Sequence, residues 1–434
     1  MPERPLIVVC GGGPAGVSAA VTLAGAGADV LLVEQRDRLG GAVHRQPANE
    51  DVPPVWRPKR HRRAWQRLAG ELADLGERVT VASSTVFAGI DGHGFMLLDD
   101  RAKGEVLAVK PQGAVLALGG IERVVPFPGW ELPGVMTAGG MQVLLKESGR
   151  PPSGRTLIAG SGPLLLALAA QLCASGRPPV AVLEKGRPFA RIAAGSRLLL
   201  SPPHVLEALS YARRIAAARV PYLTGAQVVR AVEEEGGLRV TVARGAGETA
   251  YAVDTLVVHD GVATDRDRTD GFEAPYPIMG AGDQREVLGA DAAVLDGRRA
   301  AVALARSLGL RADGDAAPRG LDSARRVQAD LAALFASPRR PLPAETMLCR
   351  CEGRRVADLP PGVSAREAKL VARFGMGRCQ GRFCAANAAD IAGAVPSPGD
   401  FRPRIARWPT RPLSVGALAR LRYLPSGDKG EPDE

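Results

Sequence analysis

Apolar residues open this chain in blocks rather than in alternation. Leu6 to Cys10 reads LIVVC, glycines follow at 11, 12 and 13, an alanine-rich stretch runs to Ala28, and a second block, VLLV, stops at Glu34. Short apolar blocks bounded by turn residues mark strands covered on both faces, and the charge-free alanine-rich stretch between them predicts a crossover helix. The same order returns at Thr156 to Glu184, TLIAGSGPLLLALAAQLCASGRPPVAVLE. Gly160, Gly162 and Glu184 stand where Gly11, Gly13 and Glu34 stood, at offsets of 149, 149 and 150 residues. A repeat that long predicts two similar domains, since solenoid repeats run to only about 20 to 50 residues. Further apolar blocks lie at GAVLALGG (113–120) and DTLVVHDG (254–261), and a helical pattern, DSARRVQADLAALFA, follows a linker at Arg311 to Leu321.

The glycines of the first copy form G-x-G-x-x-G at Gly11, Gly13 and Gly16. Gly11 allows a tight turn, Gly13 lets backbone approach a pyrophosphate, Gly16 lets the helix pack close, and the helix N-terminus offers unpaired N–H groups to the anion. Glu34 is placed to accept hydrogen bonds from a ribose diol. Strand, turn, helix, strand and acid together are a strong dinucleotide signal, where a lone glycine triplet would be weak. In the second copy the third glycine is Leu165, which is expected to hold that helix further from its strand. Gly160, Gly162 and Glu184 therefore form either a second nucleotide site, for NAD(P) or another adenine nucleotide, or an empty relic of one.

Bulk properties narrow the class. At 434 residues the chain exceeds one ordinary core. Lys and Arg outnumber Asp and Glu by 56 to 46, but only RPKRHRR (Arg57 to Arg63) is dense, and it reads as a solvated segment rather than a nucleic-acid patch. No apolar window reaches the roughly eighteen residues of a membrane span, and the N-terminus enters a strand without a basic leader, so a cytoplasmic location is expected. The five histidines (His44, His61, His93, His204 and His259) form no visible His-Glu or Ser-His-Asp grouping, and no catalytic residue is predicted.

Four of six cysteines fall in one short stretch. Cys349 and Cys351 form C-x-C, and after 27 residues Cys379 and Cys384 form C-x-x-x-x-C within GMGRCQGRFC. Four thiolates can close a zinc site or hold a 2Fe-2S cluster. Zinc knuckles usually use C-x-x-C, and neither end has it. The flanking Arg350, Arg354, Arg355, Arg373, Arg378 and Arg382 suit the net negative charge of a thiolate-ligated cluster, and Gly375, Gly377 and Gly381 could turn amides toward sulfur. The residues favour iron-sulfur, with zinc and uncommitted thiols as alternatives. Cys10 and Cys173 read as small core residues.

With LGGAVHRQP, PFPGWELPGVMTAGG, GSGPLLL, the GAGD of Gly280 to Asp283, CRCE and GMGRCQGRFC, the chain resembles the α-type flavoprotein subunits of heteromeric amino-acid dehydrogenases and oxidases. Opine oxidase, hydrogen cyanide synthase and dye-linked proline and D-hydroxyproline dehydrogenases belong to that group. The resemblance runs from about residue 5 to about residue 420. It implies an α/β fold of two Rossmann-like domains, glutathione-reductase-like, with the second inserted in the first, followed by a small, mainly helical 2Fe-2S domain like bacterioferritin-associated ferredoxin. The implied divisions are 1–120 with 255–310, 121–254, a linker and helix at 311–343, the cluster domain at 344–395 and a tail at 396–434. FAD would lie on Gly11, Gly13, Pro14, Ala15, Gly16, Glu34, Gln35, Arg36, Gly41, Val86, Gly119, Gly282 and Asp283, and the cluster on Cys349, Cys351, Cys379 and Cys384. The implied partners are a small ferredoxin-like subunit plus a β-type flavoprotein subunit that oxidises the substrate. A self-sufficient NAD(P)H-dependent FAD/iron-sulfur reductase is the alternative function. The sequence departs from the group's pattern in two ways: no C-x-x-x-x-C follows Gly41, which removes dithiol chemistry at the flavin, and only fourteen residues (266–279) separate GVATD from GAGD.

Overall fold

The chain was analysed as a computed structural model that describes residues 4–265, 269, 272–314, 319–337, 340–392 and 408–424. The first apolar block forms β1 (Leu6–Cys10), and Pro14, already fixed near helical φ, starts α1 (Pro14–Gly25). β2 (Asp29–Val33), α2 (Lys59–Ala73) and β3 (Val79–Ala82) follow, then an antiparallel meander of β4 (Thr85–Ile90), β5 (Met96–Asp100) and β6 (Glu105–Val109), and β7 (Gly113–Leu116). β8 (Gly120–Glu122) leaves this domain.

The second domain comprises β9 (Val135–Thr137), α3 (Ala138–Ser148), β10 (Thr156–Gly160), α4 (Pro163–Ala174), β11 (Ala181–Glu184), α5 (Ile192–Leu198), α6 (Pro202–Ala217) and β12 (Tyr222–Thr224). An antiparallel sheet of β13 (Ala226–Glu234), β14 (Gly237–Arg244) and β15 (Gly247–Val253) leads into β16 (Thr255–His259). β17 (Val262–Thr264) pairs back on β8, so this two-stranded ribbon carries the chain both ways between the domains. β18 (Ile278–Gly280) and α7 (Ala290–Ser307) return to the first domain, and α8 (Arg319–Leu334) bridges outward. The cysteine segment holds β19 (Met347–Cys349), β20 (Arg354–Arg355), α9 (Ala365–Leu370) and α10 (Ala385–Ala392); α11 (Val415–Leu418) and β21 (Leu421–Tyr423) end the described chain.

The main sheets run β18-β7-β1-β2-β3 and β12-β11-β10-β16-β9, parallel throughout, which accounts for the unbroken apolar blocks: strands covered on both faces have no polar side to show. Each has its own core, around Ile7, Leu23 and Leu304 in the first and around Ile158, Leu165 and Leu168 in the second.

Three expectations change. Thr255–His259 does not return the chain to the first domain: it is the strand between β10 and β9, and the first sheet resumes only at Ile278. RPKRHRR is only partly solvated: it enters α2, where Lys59, Arg62 and Arg63 are exposed but Arg60 and His61 both meet Glu207 of α6. Nor do residues 408–424, the described part of the expected 396–434 tail, stand apart; the rest of that tail lies outside the described residues. Thr410 N–H donates to Ala88 O (2.7 Å), and β21 lies parallel to β6 as the edge of the β21-β6-β5-β4 sheet. Among the described residues no helix is long and apolar enough to cross a membrane.

Candidate cofactor sites

The first glycine turn is constrained by backbone on every side. Gly11 has φ +111°, and a Cβ there would overlap Ala117 O; a Cβ on Gly16 would overlap Gly11 O. The positive φ and the close approaches both require glycine. Gly12 N–H donates to Glu34 Oε2 (2.8 Å) and Arg36 N–H to Glu34 Oε1 (2.9 Å), so the buried carboxylate is held at the tip of β2. A carboxylate offers about four acceptor sites, and two remain for a diol. Pro14 has no N–H, and the amides of Gly13, Ala15 and Gly16 meet no acceptor among the described residues, which leaves three donors at the N-terminus of α1.

The remaining expected FAD residues surround this turn. Gly41, at φ +59°, brings its backbone against Gly13, and Gly119 stands at φ +77° with open space before it. Val86 is buried beside Thr85, whose N–H donates to Glu34 O (2.9 Å), while Gln35 and Arg36 are exposed past β2. Gly282 (φ +67°) packs so close to α1 that a Cβ would lie 2.7 Å from Ala15 Cβ. Asp283 Oδ1 is buried without a hydrogen-bond partner, and burial raises the carboxyl above the usual carboxylate range, with Asp296 adding to it and the Leu288 amide opposing it. A buried acceptor with no donor is costly, and a hydroxyl-bearing ligand would satisfy it.

Sequence reasoning missed what supports this site. Asp296 on α7 accepts from Gly282 N–H (2.8 Å), from Arg285 Nη2 (2.8 Å) and from Arg299 Nε (2.6 Å), and Arg299 Nη2 reaches Gly280 O (2.8 Å). On the other side Lys146 of α3 is buried and donates to Ala42 O (3.0 Å) and Val43 O (3.2 Å), which ties the second domain to the loop after Gly41. Burial, with Arg57 and Arg45 nearby, lowers its pKa to about 7. The fold also makes a His-Glu pair that the sequence did not show: His259 Nδ1 lies 2.7 Å from Glu122 Oε1, and Glu122 Oε2 accepts from Gly139 N–H (2.8 Å). No spacing rule joins residues 137 positions apart.

The second turn repeats the design with a different outcome. Glu184 is fully buried and accepts from Gly162 N–H (3.0 Å) and Gly186 N–H (2.8 Å); burial raises its pKa, and those two amides work against the rise. The Gly162 amide is thereby spent, Pro163 has none, Ser161 N–H goes to His259 O (2.8 Å), and Leu165 N–H goes to Gly162 O (3.2 Å). Ser161 Oγ donates to Phe335 O (2.8 Å), and a Cβ on Gly186 would stand 2.8 Å from the same oxygen. The end of α8 thus lies on the turn, and beyond it a cavity of about 1310 Å³ opens between Gly160–Leu164, α8 and the cysteine segment.

In that segment the thiols act on one another, Cys384 most strongly on Cys349 and Cys379 on Cys351, with charge coupling across all four. Backbone amides point at sulfur: those of Glu352 and Cys351 at Cys349, of Cys379 at Cys351, and of Gly375 at Cys384. The Cys384 hydrogen bond lowers Cys349, and that bond together with burial pushes Cys384 up. A Cβ on Gly377 would overlap Cys351 Cβ. Among the described residues no three His, Cys, Asp or Glu side chains converge as they stand tightly enough to hold a metal. Of the flanking cations, Arg373 meets Glu352 (2.6 Å), and Arg350 lies over the Trp130 ring at 4.5 Å. The segment docks on the second domain through Asn387 Nδ2 to Val124 O (2.9 Å) and Trp130 Nε1 to Met347 O (2.6 Å). Cys10 is buried in the first core, and Cys173 is partly buried against the second.

Two parallel sheets, each with a glycine turn answered by a carboxylate, joined by an antiparallel ribbon, define an oxidoreductase of the two-dinucleotide-domain class. The sequence matches the family described as "Pyridine nucleotide-disulphide oxidoreductase" over residues 5–275, and the chain belongs to it, a flavin-dependent oxidoreductase family that binds FAD and NAD(P). It is 32% identical to the A-type subunit of opine oxidase from Agrobacterium tumefaciens over 96% of this chain and 91% of that protein. It is also 32% identical to the HcnB subunit of hydrogen cyanide synthase from Pseudomonas aeruginosa over 96% of this chain and 98% of that protein. In fold it is similar to L-proline dehydrogenase from P. horikoshii, with a TM-score of 0.63 at 18% identity over 96% of this chain and 80% of that one.

Proposed function

We propose that this chain is the FAD- and 2Fe-2S-bearing electron-transfer subunit of a heteromeric dehydrogenase or oxidase acting on the C–N bond of an amino acid, imino acid or opine. The observation that carries the reading is the docking of the cysteine segment on Val124–Trp130, the stretch that continues β8 from beside Asp283. That docking ties the cysteine segment to the stretch that leaves the FAD domain, which supports the reading of it as an electron relay.

The donor chemistry suits both groups, although among the described residues the four thiols do not converge on one point as they stand. Gly13, Ala15 and Gly16 amides would bind the FAD pyrophosphate, Glu34 the ribose and Asp283 the ribityl chain; Cys349, Cys351, Cys379 and Cys384 would hold the cluster, with the arranged amides offsetting its negative charge. Bound FAD supplies a two-electron carrier that can release electrons singly to such a cluster. Asp296 holds the Gly282–Asp283 turn, and Lys146 holds the loop after Gly41. The substrate-oxidising step is assigned to a β-type flavoprotein partner, with a small ferredoxin-like chain as a further partner. The names of the relatives, subunits of opine oxidase and of hydrogen cyanide synthase, support both the partner and the substrate class.

The shortage of free amides at the second turn weighs against the NAD(P)H-reductase alternative: Gly162 N–H is held by Glu184, Ser161 N–H by His259 O, and Pro163 has none. Anaerobic reconstitution with visible and EPR spectroscopy tests the cofactors: flavin bands and a reduced-cluster signal are expected, and a colourless protein with stoichiometric zinc would remove the reading. Stopped-flow mixing with NADH should leave the flavin oxidised.

A further inference from the structure

Phe189, Ile192, Leu199, Leu200, Leu206 and Leu209 stand 60% to 85% exposed within a short span. Single apolar residues on a surface are ordinary, but six so close together are not. They are not misplaced core positions. α6 already buries Tyr211 and Ile215, and at 100° per residue Leu206 and Leu209 lie on its opposite face. At about 200 Å² for a fully exposed large side chain, the six present on the order of 850 Å², close to the ~800 Å² that one partner gives to a standard interface.

Charge selects the occupant. Residues 185–206 carry Lys185, Arg187, Arg191 and Arg197 and no Asp or Glu. Glu207 is already held by Arg60, His61 and Tyr211. Lys185 and Arg197 are paired with Asp260 and Asp330, but Arg187 and Arg191 form no ion pair among the described residues; Arg191 donates only to Ala336 O (3.0 Å). A second copy docked across a twofold would set arginine against arginine, which disfavours self-association. We infer that the surface formed by the Pro188–Ala190 turn, α5 and α6, from Phe189 to Leu209, is the docking site for a different protein chain, one that presents an apolar face rimmed by carboxylates. The inference rests on the heteromeric reading above, and its occupant is the substrate-oxidising flavoprotein subunit.

The test uses the full chain, tagged and expressed in its native host, beside Leu200→Glu/Leu206→Glu and Arg187→Glu/Arg191→Glu variants. All three should show the same flavin absorbance and circular dichroism, since the altered positions are outside both cofactor sites. The wild type should copurify with a second chain that mass spectrometry and its own flavin identify as a flavoprotein. Recovery of that chain should fall about tenfold or more for the leucine pair, and should fall with added salt and with the arginine pair. Retention of the flavoprotein by both variants would overturn this surface while leaving the heteromeric reading intact. A wild type that purifies without any flavoprotein would overturn both. A homodimer broken by the leucine pair, or flotation with anionic vesicles lost in that variant, would replace the occupant with a second copy or a membrane and overturn the proposal.

Discussion

Replacing Asp296 tests whether the flavin-side turn is held from behind. Asp296 is buried and receives Gly282 N–H, three contacts from Arg285 through Nε and Nη2 and one from Arg299, while the Arg285 and Arg299 side chains are 27% and 21% exposed. Removing one partner of a buried ion pair costs about 3 to 5 kcal/mol, and water reaching the two partly exposed arginines returns some of it, so Asp296→Asn should cost about 3 kcal/mol. Losing one charge-assisted bond at Gly282 N–H, worth about 1.5 kcal/mol, should loosen the turn enough to weaken FAD binding about tenfold. Burial acts to raise the Asp296 pKa, but its bonds to Arg285, Arg299 and Gly282 outweigh burial and leave it lowered. A depressed carboxylate adds stability above its unfolded pKa of about 4 and loses it as pH falls through the folded value. Urea unfolding at neutral and acidic pH should therefore show a large gap between wild type and variant at pH 7 that narrows below about pH 4, and flavin-fluorescence titration should show the weaker binding. Unfolding midpoints within about 0.5 kcal/mol of each other, with unchanged FAD affinity, would refute the reasoning.

Glu207→Gln should lower stability by about 3 kcal/mol at pH 7: burial raises Glu207, but His61, Tyr211 and Arg60 bring it down to about 2, so the wild-type advantage should vanish between pH 4.5 and 2 in thermal unfolding scans. Gly377→Ala should displace Cys351 and lower iron and sulfide per chain at least about twofold, while flavin content stays unchanged; a full complement of iron and sulfide would refute the displacement. Gly16→Ala forces a methyl into Gly11 O, costs about 1 to 3 kcal/mol, and should yield largely flavin-free protein by absorbance.

What the sequence made legible followed from local necessity. Gly11 and Gly16 could be read because no side chain fits there, and parallel strands could be read because their blocks have no polar face. Thr255–His259 was misplaced because an apolar block states that a strand is buried but not in which sheet, and the repeat made either sheet plausible. Asp296 sits on one face of α7, and Lys146 on α3, in patterns that also describe solvated charges; only the tertiary fold brings them against Gly282 and Ala42. The covering of the second turn was hidden for a different reason: Phe335 acts through its carbonyl, and a backbone oxygen has no signature in the sequence. The four cysteines stood out by spacing.

The last described strand has a consequence for how the protein is made. β21 completes the edge of the sheet whose other strands span residues 85–109, so that sheet stays open until more than 420 residues have left the ribosome. During synthesis the β6 edge is bare, a template for pairing with the wrong chain. Truncations that remove the cysteine segment and everything after it would keep that edge bare permanently, so a shortened chain should aggregate for reasons unrelated to the loss of any redox group.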